Sequence, residues 1–97
     1  MTKTQLLQIL SDIGACPAAM KWVRDTPGTP KELYQKCRNR IWLEFVVERL
    51  YSSFDWYEYR KASGEDWKEY YCRFNLKACN IIRKMVPWAK LKKALEK

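Results

Sequence analysis

Residues 41–50 read Ile-Trp-Leu-Glu-Phe-Val-Val-Glu-Arg-Leu, and seven of these ten side chains are large and apolar. Glu44 and Glu48 stand four apart and share one face of a helix, which leaves most of the circumference hydrophobic. A helix apolar over most of its girth belongs inside a protein. Ile41, Val46 and Val47 would also suit a strand, but strict alternation is absent and no hairpin signal flanks the run. The reading is a buried central helix over about 39–51, around which the rest of the chain must pack.

Ninety-seven residues suit one domain, spanning 1–97, with enough apolar material for a thin core. Only three Gly and four Pro are present, too few for a turn-rich all-β protein. The expected fold is therefore all-α: a compact bundle of five to seven short helices around the 39–51 helix. Thr2 or Thr4 can cap a first helix whose apolar side is Leu6, Leu7, Ile9, Leu10 and Ile13, and Gly14 sits where a C-terminal cap belongs. Pro17 suits the first turn of a second helix with Ala18, Ala19, Trp22 and Val23 on its face. Thr26-Pro27-Gly28-Thr29-Pro30 is a loop. Thr29, Pro30 and Glu32 then read as the cap, first residue and acidic first turn of a third helix. A further helix is expected over 54–59, with Asp55 as its cap.

The longest helix is expected over 65–86, as an outer member of the bundle. Trp67, Tyr71, Phe74, Ala78, Ile81 and Met85 follow a 4-3-4-3-4 spacing, one apolar stripe. Arg73, Lys77, Asn80 and Lys84 form a second, polar stripe roughly opposite. Pro87 ends that helix, and Trp88, Leu91 and Leu95 give a last short one a narrow apolar side.

Charge is unevenly placed. Residues 68–97 hold nine basic side chains against two acidic ones, whereas residues 1–67 hold ten against nine. The C-terminal third thus carries +7 of the net +8. Arg73, Lys77, Arg83 and Lys84, continued by Lys90, Lys92 and Lys93, could follow a phosphate backbone or meet an acidic protein surface. A solvated face that keeps the protein soluble has the same composition. Residues 51–71 hold eight of the fourteen aromatics. Most are expected in the core. Trp56, Tyr57 and Tyr59 cannot all face inward on one helix, so one or two should stand at the surface, where aromatics stack bases or anchor partners.

Catalysis finds little to work with. The chain has no His, which removes the commonest general base. No Gly-rich phosphate loop, nucleophile motif or CxxC pair occurs, and neither an enzyme, a metal site nor a cofactor is expected. Cys72 and Cys79, on one helix, lie about 10 Å apart along its axis, too far for a disulfide. Cys16 near a helix start could be acidified, but a buried thiol in an Ala-rich packing patch is the simpler expectation. Met1-Thr2-Lys3 leads straight into an amphipathic segment with no cleavage site. No run reaches the ~18 apolar residues of a membrane span, so a soluble cytoplasmic protein with no membrane partner is expected.

Taken in order, Ala15-Cys16-x-x-Ala19-x-x-Trp22, Thr29-Pro30-x-Glu32 with Cys37 five residues on, Trp42-Leu43, and Arg83-Lys84-Met85-Val86-Pro87-Trp88 span about three quarters of the chain. This pattern resembles a group of small helical proteins encoded by tailed phages and by bacterial genomes carrying phage-derived genes. That group usually has Gly-Asp or a similar polar pair before Trp-Leu, where this chain has Arg40 and Ile41. The resemblance implies a compact helical fold and a phage origin, and it brings no catalytic residue. It also implies a function: small non-enzymatic phage proteins often bind a host protein, including components of antiviral systems. The leading expectation is an inhibitor of a host protein or nucleoprotein, acting through Arg73, Lys77, Arg83, Lys84, Lys90, Lys92 and Lys93, with Trp56 or Tyr57 as an exposed aromatic. The alternatives are direct binding of DNA or RNA through the same residues, and a structural or assembly role in the virion.

Overall fold

The computed structural model describes residues 1–63 and 76–96. Among the described residues there are seven helices and no strand: α1 (Lys3–Asp12), α2 (Pro17–Asp25), α3 (Pro30–Lys36), α4 (Arg40–Leu50), α5 (Trp56–Ser63), α6 (Leu76–Met85) and α7 (Trp88–Leu95). The all-α bundle expected from the sequence is the observed architecture.

Local chemistry sets the helix ends. Thr2 Oγ1 accepts the Gln5 N–H at 3.2 Å while Gln5 Oε1 accepts the Thr2 N–H at 2.7 Å, a reciprocal cap on α1. Thr29 and Glu32 repeat the device on α3, at 3.3 and 3.2 Å. Those bonds from Thr29 hold the Glu32 carboxyl below its ordinary pKa. Asp55 Oδ1 takes the Glu58 N–H at 3.0 Å and so starts α5. At the far end of α1, Gly14 adopts φ +83°. This lets the Ala15 N–H reach Leu10 O at 2.9 Å and the Gly14 N–H reach Ser11 O at 3.1 Å, the two closing bonds of a Schellman turn.

Packing differs from the sequence reading in two places. The first concerns α6. Its fully buried side chains are Ala78, Cys79 and Ile82, joined by Val86 just beyond its end, whereas Ile81 and Met85 are only half-buried. The buried face is turned about one residue from the expected stripe. The cause is that α6 packs against both α4 and α5, so it needs a broad apolar face on one side, while Leu76, Lys77, Asn80 and Lys84 leave its other side in solvent, as an outer helix requires. The expected start of this helix, with Trp67, Tyr71 and Phe74, lies outside the described residues.

The second concerns α4, which is where the sequence placed it but is covered on one side only. Leu43 and Val47 are buried against the bundle, where α6 and α7 pack. Trp42, Phe45 and Val46 are half-buried, and Ile41 is 47 % exposed. Apolar residues around the whole girth therefore do not mean burial around the whole girth here. Cys16, expected in a packing patch, is also exposed, while Cys37 and Cys79 are buried free thiols.

These differences set an expected contrast in urea denaturation. Ile82→Ala, which empties a fully enclosed site, lowers stability by about 3 kcal/mol. Ile41→Ala, on the same helix type but at the surface, costs less than about 1 kcal/mol.

Candidate partner-binding surfaces

The basic side chains singled out in the sequence divide into two groups once the tertiary contacts are drawn. Arg83 is committed inside the molecule. Its Nη1 donates to Cys37 O at 2.6 Å and to Tyr34 O at 3.1 Å, and its Nη2 donates to Asn80 Oδ1 at 2.8 Å. Both backbone acceptors belong to the end of α3, where the helix dipole leaves its negative pole. Tyr34 answers in the opposite direction: its hydroxyl donates to Val86 O at 2.6 Å, in the interior. Arg83 thus joins α3 to α6 and leaves the solvent stripe. Lys92 stands 3.8 Å from Glu96 in an exposed i,i+4 pair. Arg73 lies outside the described residues.

Lys77, Lys84, Lys90 and Lys93 are exposed, and among the described residues none of them meets a carboxylate. Lys77 and Lys84 are seven apart on α6, two turns and about 10 Å, on one side of the helix. The basic stripe survives in this reduced form.

The aromatic expectation resolves similarly. Trp56 packs edge-on against Phe54, with centroids 4.7 Å apart, and against Tyr59 at 5.9 Å. It is half-buried in a three-ring cluster completed by Phe54 and Tyr59 at 5.6 Å. Tyr57, by contrast, is 73 % exposed and is the surface aromatic of α5.

A buried polar cluster ties α5 to α4. Glu44 lies 3.8 Å from Arg40 Nε and is hydrogen-bonded to Tyr59. Burial raises the Glu44 pKa, and the Arg40 charge opposes that rise. Burial likewise pushes the phenols of Tyr34 and Tyr59 well above the usual range, and the Cys79 thiol up to about 11. Arg40, Glu44 and Tyr59 pair with one another, so this cluster is structural. Among the described residues, no three Cys, Asp or Glu side chains gather to hold a metal ion, and no helix is long and apolar enough to cross a membrane.

The sequence reading missed one surface. The uncovered side of α4 opens into an apolar cleft of about 420 Å³, walled by Ile41, Trp42, Phe45 and Val46 together with Trp22 of α2 and Trp88 of α7. The rings of Trp22 and Trp42 meet at 5.9 Å and 52°. The Arg49 guanidinium rests over the ring of Phe45, one of these walls, 5.2 Å from its centroid. A usable signal was present: 41, 45 and 49, with 42 and 46 beside them, form an i,i+4 stripe facing away from Leu43 and Val47. No protein-family model, curated protein or solved structure matches the chain.

Two measurements follow from this geometry. Arg83→Ala should lower unfolding free energy by about 2–3 kcal/mol, because it strips a charged donor from two backbone carbonyls. Lys77→Ala and Lys84→Ala should each change it by less than about 0.5 kcal/mol. The second measurement is pH dependence. The folded thiols of Cys37 and Cys79 stay protonated above their ordinary value of 9, so above pH 9 the unfolded chain binds fewer protons than the folded one. Stability should then fall as pH rises from 9 towards 11, read as a declining urea midpoint, and Cys79→Ala should make the decline shallower.

Proposed function

We propose that this chain is a non-enzymatic accessory protein of phage type that binds and inhibits a host protein or nucleoprotein, such as a component of an antiviral system. The observation that carries the reading is the set of uncommitted lysines on α6 and α7. Lys77, Lys84, Lys90 and Lys93 project into solvent without an internal counter-charge among the described residues. Charge of one sign on rigid helices speeds encounter with an acidic surface and selects against basic ones. Tyr57, exposed on α5, supplies an aromatic of the kind that anchors interfaces. The phage assignment rests on the ordered sequence pattern running from Ala15 to Trp88.

The same lysines favour a second reading, direct binding of nucleic acid. In that case affinity comes mainly from counterion release and carries little sequence preference.

A single experiment separates the two. The tagged chain is incubated with bacterial lysate, treated with nuclease, washed, and its captured proteins are identified by mass spectrometry. The inhibitor reading expects one near-stoichiometric host protein to survive nuclease and to be lost from Lys77→Glu plus Lys84→Glu. Capture that nuclease abolishes supports nucleic-acid binding instead. Capture that survives both nuclease and charge reversal removes the lysines as the contact surface.

A further inference from the structure

We infer that the cleft beside α4 is a docking groove for an acidic amphipathic helix of a partner protein. The inference rests on the chain being a protein-binding module, but not on the lysine face.

The walls are apolar and aromatic: Trp22, Ile41, Trp42, Phe45, Val46 and Trp88. Such a groove accepts the i, i+3, i+4 and i+7 side chains of a helix laid along it. A small polar ligand would need placed polar groups to orient it. Of the polar side chains that line the cleft, Asn39 Oδ1 already caps α4 through the Ile41 and Trp42 N–H groups, at 3.0 and 3.2 Å. The Tyr34 hydroxyl is likewise spent on Val86 O.

Charge selects the occupant's polar face. Arg49 is exposed, is held over Phe45 at the cleft, and meets no carboxylate among the described residues. At 100° per residue it falls between Trp42 and Phe45, on the cleft side of α4. Glu44, by contrast, is turned to Arg40 and Tyr59, and Glu48 lies near enough to Glu44 to raise its pKa. Glu44 thus lies on the other side, whereas Glu48 falls about 20° from Ile41, at the edge of the cleft away from Val46. A second copy of this chain is disfavoured by the same charge. A two-fold contact would bring both Arg49 residues to one interface between molecules of net charge +8. An acidic helix satisfies Arg49 and the overall charge together.

The test uses the whole chain and two designed helical peptides of about 18 residues. Both carry Leu and Phe at helical spacing; one has Glu and the other Lys at the remaining positions. Affinity is measured by calorimetry. Location is read from alkylation of Cys16, an exposed thiol that lines the cleft. The acidic peptide should bind at least about tenfold more tightly than the basic one and slow Cys16 alkylation. Ile41→Gln, at a half-exposed position that leaves the fold intact by circular dichroism, should weaken binding about tenfold. Arg49→Gln should weaken it several-fold, and Lys77→Gln plus Lys84→Gln should leave Cys16 protection in place. Equal binding of the two peptides overturns the proposal. So does unchanged Cys16 alkylation, or binding indifferent to Ile41→Gln. A self-association in sedimentation that Ile41→Gln abolishes would make a second copy the occupant and overturn it too. Peptide binding lost with the lysine pair but kept with Ile41→Gln would sink this groove while leaving the lysine-face function standing.

Discussion

The fold hangs on the reciprocal tie between α3 and α6. A seven-residue helix has no stability of its own in water, because nucleation costs more than so few hydrogen bonds return. Here α3 is held at both ends. A reciprocal cap and Pro30 start it, and at its other end the Arg83 guanidinium donates to the carbonyls of Tyr34 and Cys37. Tyr34 sends its hydroxyl back to Val86 O, so neither the phenol nor that carbonyl is buried without a partner. The same contacts fix the register of α6, which sets Ala78, Cys79 and Ile82 in the centre of the bundle.

From that arrangement α4 acquires two unlike sides. Leu43 and Val47 meet the interior. Arg40 and Glu44 enter the polar cluster with Tyr59, where a charged pair at the edge of the core orients α5 against α4 rather than adding much net stability. Ile41, Trp42, Phe45 and Val46 are left facing an aromatic-walled cleft. An apolar patch that a folded domain does not cover is the kind of surface that another molecule covers.

The two surfaces make different physical demands on a partner. Lysines on α6 and α7 act at range through charge and lose strength with salt. The cleft acts only at contact, through burial of apolar side chains, and responds little to salt. A chain that carries both can attract an acidic partner broadly and retain it selectively.

Much of the secondary structure was legible because it is local. Thr2, Gly14, Pro17, Thr29, Pro30, Asp55 and Pro87 act on backbone within a few residues of themselves, and each stands at a helix boundary as expected. That at least one of Trp56, Tyr57 and Tyr59 stands exposed was legible for the same reason, since positions one or two apart on a helix do not share a face; that it is Tyr57 was decided by the packing of Trp56 and Tyr59 on Phe54. Hydrophobicity was a poorer guide to burial. Residues 41–50 are apolar nearly all round, yet which side meets α6 and α7 is a property of the packed bundle. Arg83 looked like any other basic residue of the stripe, because its acceptors lie 46 and 49 residues away on the end of another helix. The sequence by itself determined an all-α chain, its helix ends and its basic C-terminal third, since these follow from nearest-neighbour chemistry and composition. Only the tertiary structure decided which face of α6 is buried, that Arg83 is a tie rather than a contact point, and that α4 opens an apolar cleft. Those outcomes depend on which distant helices meet and on what their meeting leaves uncovered.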